Sequence, residues 1–492
     1  DGAAMITPRT TNTNLDAVSQ EFRLASNNNE KVNWLVGAYY YQEDLAYDAD
    51  VIWGPMWRPL MDIFTAQQTG GLASLAGVGA IFNVPSSQIL QAGTGSIVSG
   101  TQDTETTTFF AQVDINLTDK LSAILGASYI EDDKKATLSE LNTDVFSQLD
   151  FVGAGTLQYI QAGFPPATAA ALAGDPATNP LLLFQGLQFL NQLVAIPNAA
   201  ESGQSLDDNV DYTAKLTYLI NDNVSVYGGI ATGFKSSAWN LTGNSLPSTS
   251  EIAALAAAGT PVPPNTSPGQ RYARPESAEV FELGMKMRLP SGYLNITAFK
   301  QEIEDFQSNV FVSSGFILAN AGLQSSEGFE FDLLLSPVPS IDITFGGLVM
   351  DSNYDSFVGA DTSSGADMSG TKPENVHDKS FTSAITYNWS QGQTDGYVRL
   401  NHLYSGPTWM RLDPADNDVM CAAGFCQKTK DTLNFSAGIT MGNLDIILYG
   451  NNINDDEYLT STFPEVGDPL ASSFNGYPNA PKTYGITFNY VF

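Results

Sequence analysis

The feature that most constrains this chain is a strict period-two hydropathy whose segments are joined by connections that alternate between tight and long. Tyr212, Ala214, Leu216, Tyr218 and Ile220 alternate with Asp211, Thr213, Lys215 and Thr217, which puts apolar groups on one face of a strand and polar groups on the other. Phe281, Leu283, Met285 and Met287 oppose Glu282, Gly284, Lys286 and Arg288 in the same way, and Phe329, Phe331, Leu333 and Leu335 oppose Glu330 and Asp332. At the end of the chain Tyr484, Ile486, Phe488, Tyr490 and Phe492 oppose Thr483, Gly485, Thr487 and Asn489. About fifteen such segments begin near residues 15, 33, 104, 120, 208, 224, 276, 292, 324, 341, 377, 395, 429, 444 and 482. The connections near 27–32, 118–119, 221–223, 290–292, 337–340, 389–394 and 442–443 are tight and rich in turn formers. Those near 45–103, 136–207, 237–275, 310–323, 355–376, 405–428 and 451–481 are long, and the two kinds alternate throughout.

That sorting predicts an all-β fold, a transmembrane antiparallel β-barrel with short periplasmic turns at one rim and long extracellular loops at the other. The apolar faces then meet lipid and the polar faces line the lumen, while closure removes strand edges that hydrocarbon leaves unsolvated. Lys215, Glu282, Lys286, Arg288, Glu330, Asp332 and Arg399 fall on polar faces and are expected in the lumen. Trp34, Tyr129, Tyr227, Tyr293, Tyr387, Trp389 and Tyr397 lie near strand ends, where rings suit the membrane interface. His402 alternates with Val398 and Leu400 and is expected outside, near the extracellular rim.

Composition removes competing classes. Lys and Arg total 21 against 53 Asp and Glu, a formal net charge of −32 over 492 residues, which opposes binding to nucleic acid. No run of 18 apolar residues marks a helical span, and no basic segment followed by an apolar one opens the chain. His377 and His402 are the only histidines and no G-x-S-x-G elbow occurs, so neither a catalytic residue nor a resident metal or other cofactor is expected. Cys421 and Cys426, five apart in a Gly- and Asp-containing stretch, suit a small loop disulfide in an oxidising compartment.

The long connections carry the candidate ligand contacts: Trp53, Trp57, Trp239, Tyr354 and Trp409, with Asp351, Asp355, Asp413, Asp416 and Asp418 nearby. Aromatic faces stack on flat ligands, and carboxylates accept hydroxyls or hold Ca²⁺; the alternative is that these side chains fold their own loops. Asp413–Asp418 (DPADND) is the one place where a loop Ca²⁺ is considered, although the closing Glu of an EF-hand is missing. Leu181–Ile196 is predicted as a helix of about sixteen residues with a stripe of Leu182, Phe184, Leu187, Phe189, Leu190 and Leu193. It packs on its own loop, or docks a partner or an apolar ligand. Few loop cations, among them Arg58, Arg271 and Arg411, are available to hold an anionic chelate.

The segments themselves resemble TonB-dependent outer-membrane receptors. Ser19–Ser26 (SQEFRLAS), Asn33–Asp44 (NWLVGAYYYQED) and Phe110–Tyr129 (FAQVDINLTDKLSAILGASY) are similar to consecutive strands in the middle of that family's barrel. Val226–Asn240 (VYGGIATGFKSSAWN), Arg274–Lys286 (RPESAEVFELGMK) and EGFEFD after Ser326 resemble later ones, and Asn451–Tyr458 (NNINDDEY) with the terminal YGITFNYVF resembles the last loop and strand. The resemblance implies a 22-stranded barrel, filled by an N-terminal plug and preceded by a TonB box. Residues 1–492 are then the C-terminal portion, about fifteen strands, with no plug domain; the plug, TonB box, signal peptide and about seven strands are expected upstream or on a companion chain. The lumenal charges would face the plug, and Phe492 would be the terminal aromatic presented to the barrel-assembly machinery.

The function implied is active import across the bacterial outer membrane, with lipid and lipopolysaccharide around the barrel and the TonB complex acting through the upstream plug. A scarce nutrient, a ferric siderophore or other metal chelate foremost, is caught at the extracellular loops. A passive porin-like channel, or a receptor for a glycan or other organic nutrient, is the alternative.

Overall fold

Fifteen strands, each antiparallel to its neighbours in sequence, form one continuous sheet with simple up-and-down order. The computed structural model describes residues 10–27, 31–68, 74–190, 193–242, 247–260, 271–312, 315–361, 366–411, 414–464 and 474–492. The first strands are β1 (Thr10–Ala25), β2 (Val32–Ile52), β3 (Gly95–Asn116), β4 (Leu121–Asn142) and β5 (Gln204–Asn221). Next come β6 (Val224–Lys235), β7 (Glu276–Leu289), β8 (Gly292–Val312), β9 (Gly315–Val338) and β10 (Ile341–Ser356). The last are β11 (Lys379–Gln391), β12 (Thr394–Trp409), β13 (Gln427–Met441), β14 (Leu444–Asn451) and β15 (Thr483–Tyr490). Among the described residues, no helix is long and apolar enough to cross a membrane.

Register turns the sequence alternation into two surfaces, because directly paired residues point to the same side of a sheet. Leu216, Gly228, Leu283, Ala298, Phe329 and Val349 form one row across six strands. Leu283 and Phe329 are 67% and 61% exposed there, as a face meant for hydrocarbon must be. The row one residue over reads Thr217, Tyr227, Gly284, Thr297 and Glu330. Lys215, Glu282, Lys286, Arg288 and Asp332 share that polar face by strand parity, and the pairing of Asp342 with Thr386 and of Thr386 with Arg399 carries it to β12. All seven expected lumenal charges therefore lie on one side.

The same register divides the proposed interfacial aromatics. Trp34, Tyr129, Tyr387 and Trp389 lie on the apolar face, whereas Tyr227, Tyr293 and Tyr397 lie on the polar one. Tyr227 is fixed there by its surroundings. Its ring covers Gly284, its hydroxyl is 2.9 Å from that of Thr297, and the Lys215 ammonium sits 3.9 Å from the ring centroid. His402 is on the apolar face beside Leu400, bonded to Asp431 at 2.6 Å.

Several strands are far longer than the hydrocarbon needs. β3 and β4 each have 22 residues and β9 has 24, against roughly 9–11 for a tilted span. The excess projects on the side of the long loops, so β3 begins at Gly95 rather than near 104, and β4 continues to Asn142. Upon this extension the first two loops build a small helical body. The first loop forms α1 (Trp57–Gln68) and α2 (Leu75–Ile81); the second forms α3 (Phe151–Gln161) and α4 (Pro166–Ala173). Trp57, Leu75, Leu90, Phe146, Phe151 and Phe184 are buried in their common core.

The helix expected at Leu181–Ile196 is a shorter 3-10 run, Pro180–Leu187. Leu181, Phe184 and Leu187, three apart, are all buried in the loop core, because a 3-10 run with three residues per turn aligns them on one face. The Gln188 side chain donates to the carbonyls of Phe146 and Leu149 at 2.8 and 2.9 Å, which ties down the point where the run stops.

A candidate functional site at the roofed extracellular mouth

The inner face of the projecting strands carries a polar cluster. Asp132 pairs with Asp207 and Lys134 with Ser205, and on β5 Ser205 and Asp207 share a face with Lys215. These four side chains therefore point inward, above the level of the lumenal charges. The third loop folds down onto them. Asp207 accepts the Ser237 amide at 2.9 Å and its hydroxyl at 2.5 Å. Lys134 donates to the Ser237 carbonyl at 3.0 Å and to the Ser236 hydroxyl, and pairs with Asp132 at 2.5 Å.

The returning end of that loop is held just as firmly. The Arg271 guanidinium, with a fully buried side chain, grips Glu201 of the second loop through both carboxylate oxygens and donates to the Val194 carbonyl. Such a planar fork matches a carboxylate better than an ammonium would. Burial lowers the Arg271 pKa to about 10, which leaves it charged at neutral pH. The two loop ends meet where Asn240 donates its amide to the Arg271 carbonyl at 2.8 Å and Trp239 packs on Tyr272 with ring centroids 5.0 Å apart.

Beneath this roof lies a recess of about 430 Å³, walled by Leu45, Tyr47, Gln102, Lys235, Trp239 and Leu241. Its volume falls in the usual range for small-molecule sites, about 300–1,000 Å³. Of the five aromatic contacts expected from the sequence, the structure brings only Trp239 here. Trp53 and Trp57 stack on each other, centroids 4.8 Å apart, inside the loop core and at 3% and 8% exposure. Tyr354 is buried against Phe357 and Phe306. Trp409 ends β12 half-buried, its carbonyl accepting the Asn375 amide at 3.0 Å.

Several other loop candidates are engaged within the loops themselves. Arg58 pairs with Asp62 at 2.9 Å and donates to the carbonyls of Ser86 and Ile89. Asp351 pairs with Lys372 at 3.0 Å. Cys421 and Cys426 are joined in a disulfide at the foot of the sixth loop. Asp413 lies outside the described residues; Asp416 and Asp418 fall within the helix Pro414–Ala422. Burial pushes the His377 imidazole down, and its Nδ1 is bonded to the Gly406 carbonyl.

Sequence reasoning passed over Lys134, Asp132, Asp207 and Glu201. Glu131, Asp132, Asp133, Lys134 and Lys135 are ionisable on both parities, so hydropathy gives no face there. The usable signal was position: even residues of β4 continue the polar face of Ile124, the partner of Lys215.

A large up-and-down antiparallel sheet with an apolar outer face, a polar inner face and loops folded into its mouth defines the wall of a membrane-spanning β-barrel. The family described as TonB dependent receptor-like, beta-barrel, matches residues 6–453, and the chain belongs to that family. Its fold is similar to that of the ferric yersiniabactin uptake receptor FyuA of Yersinia pestis, with a TM-score of 0.64 and 16% identity over 98% of this chain and 55% of that one. It is similar also to the siderophore receptor PiuA of Acinetobacter baumannii (TM-score 0.57, 16% identity, 97% of this chain and 56% of that one). The ferric-catecholate import receptor Fiu of E. coli K12 in its closed form gives 0.56 and 14%, over 98% and 55%. The chain thus spans about half the length of these structures. A search of curated protein sequences gives no match.

Proposed function

We propose that the protein is an outer-membrane receptor that captures a scarce small-molecule nutrient at its extracellular mouth and imports it with energy transduced by TonB through a plug outside this chain. A ferric siderophore or similar chelate is the leading ligand class; the similar structures described as siderophore and ferric-catecholate receptors support it. The observation that carries the reading is the inward fold of the third loop over the barrel interior, fastened by Asp207, Lys134 and Arg271 above a recess. The family match and the long, helix-bearing loops fit a receptor better than a passive pore, which is why the porin-like alternative ranks second.

Uptake of radiolabelled iron chelates by cells producing the intact receptor tests the energy coupling. Accumulation should collapse when a protonophore dissipates the inner-membrane gradient. Accumulation indifferent to the gradient, together with a stable large conductance in planar bilayers, would establish the passive channel instead.

A further inference from the structure

The charges of the two lysines that line the recess are already balanced by carboxylates. Lys134 is the more buried of the two lysines that line the recess, and its ammonium is engaged by the Asp132 carboxylate, the Ser236 hydroxyl and the Ser237 carbonyl. Two of its three donors are spent on the third loop and its charge is balanced by Asp132. Lys235, the other lining cation, faces Glu276 at 3.6 Å. The polar atoms beside them are drawn into the frame as well: the Gln307 amide donates to the carbonyls of Ser236 and Arg274, the Thr242 hydroxyl to Asn240, and the Trp239 indole to Ser205. What faces the space is largely the rings of Trp239 and Tyr47 and the side chains of Leu45, Leu241 and Ala238.

The surrounding layer repeats the pattern. Arg58 is paired with Asp62, Arg271 with Glu201, Arg274 with Asp305, Lys372 with Asp351 and Asp378, and Lys482 with Asp455. With a formal charge of −32 on the chain, the field at the entrance repels anions. A ligand carboxylate or catecholate brought into the recess would lose its hydration and meet, among the described residues that line it, only the Lys235 ammonium, whose charge Glu276 already balances, which is costly.

We propose that the recess under the third loop takes an uncharged, ring-bearing ligand surface, stacked against Trp239, and excludes anionic ones. A metal chelate satisfies this when its periphery is neutral. The inference rests on the uptake reading for its biological sense, yet it concerns equilibrium binding and stands or falls without energy coupling.

The test uses the purified intact receptor in bilayer discs and a set of small aromatic compounds in matched pairs, each neutral amide against its carboxylate, read by saturation-transfer NMR. The amides should bind, with dissociation constants independent of salt, and their carboxylates should bind at least tenfold more weakly, the gap widening as salt is lowered. Trp239→Ala should abolish amide binding, and Trp239→Phe should keep most of it. Carboxylates that bind as well as their amides, a Trp239→Ala receptor that binds like the natural one, or no binding by either member of any pair would each overturn the assignment. Gradient-insensitive uptake would remove the transport reading alone and leave these binding results in place.

Discussion

The barrel wall and the extracellular loop layer of this chain are organised by opposite rules. In the wall, Leu216, Leu283 and Phe329 are widely exposed and the charged side chains point inward, because the solvent outside is hydrocarbon. In the loop layer, Phe146, Phe151, Leu75 and Leu90 are fully buried and salt bridges reach into the interior, as in a small water-soluble domain. Where the strands leave the membrane, one polypeptide changes from an inside-out pattern to the ordinary one. The wall is held by a ladder of backbone hydrogen bonds that barely depends on individual side chains, whereas the loops depend on a few buried contacts. Substitutions that exchange the two logics should therefore have unlike consequences.

The largest effect is expected at the buried ion pair. Arg271→Ala leaves the Glu201 carboxylate buried at 2% side-chain exposure with its main partner gone, a change that typically costs about 3–5 kcal/mol. The loss should be local. Hydrogen exchange should rise across 194–203 and 237–242 while the β7–β10 ladder keeps its protection. Equal protection of the roof in both proteins would show that the pair is ornamental.

Next comes the outer face. Leu283→Arg places a charge at mid-strand on the lipid side and should cost about 2–4 kcal/mol of folding into bilayers. Thr217→Arg, one row over on the polar face, should cost far less. Similar costs for the two, measured by denaturant titration in lipid vesicles, would mean that the two faces have been assigned wrongly. A smaller contrast divides two glycines of the wall. A methyl group at Gly284 meets the ring of Tyr227, whereas at Gly228 the nearest atoms are 3.7 Å away. Gly284→Ala should cost about 1–3 kcal/mol by overpacking, and Gly228→Ala close to nothing in the same titration.

The same division explains what could be read from the amino-acid sequence. Wall residues such as Lys215, Glu330 and Arg399 are placed by parity alone, since period-two hydropathy has only two answers and the membrane selects one. Tyr227 was misplaced because proximity to a strand end was weighed above its parity with Ser225 and Gly229. In the loops no period operates. Trp53 and Trp57 are four residues apart, and nothing in that spacing tells a stacked, buried pair from an exposed ligand platform. The Arg271–Glu201 contact spans 70 residues and depends on how two loops happen to meet, so only coordinates reveal it. Of the five loop aromatics only Trp239 lines the recess, a few residues beyond the end of β6.

The smallest effect, and the one that best separates the regions, is a response to pH. Asp144 is fully buried in the loop core, and desolvation raises its pKa while bonds from Ser147 pull it down. Glu140 is raised by the same cause against its bonds from Ser96 and the Leu193 amide. A carboxyl whose folded pKa exceeds its unfolded value, about 4, favours the fold most when both states are protonated, and that contribution is lost as pH rises through the folded value. The loop core should thus open more readily as pH rises from about 4 through the raised folded values. Exchange protection at 146–190, corrected for the intrinsic rate, should fall over that interval while protection in β7–β9 stays level. Asp144→Asn keeps an acceptor for Ser147 and removes the ionisation, so it should remove part of the slope, and adding Glu140→Gln should remove most of the rest. A slope that survives both substitutions would place the titrating group elsewhere, and a slope shared by the wall would dissolve the distinction between the two regions.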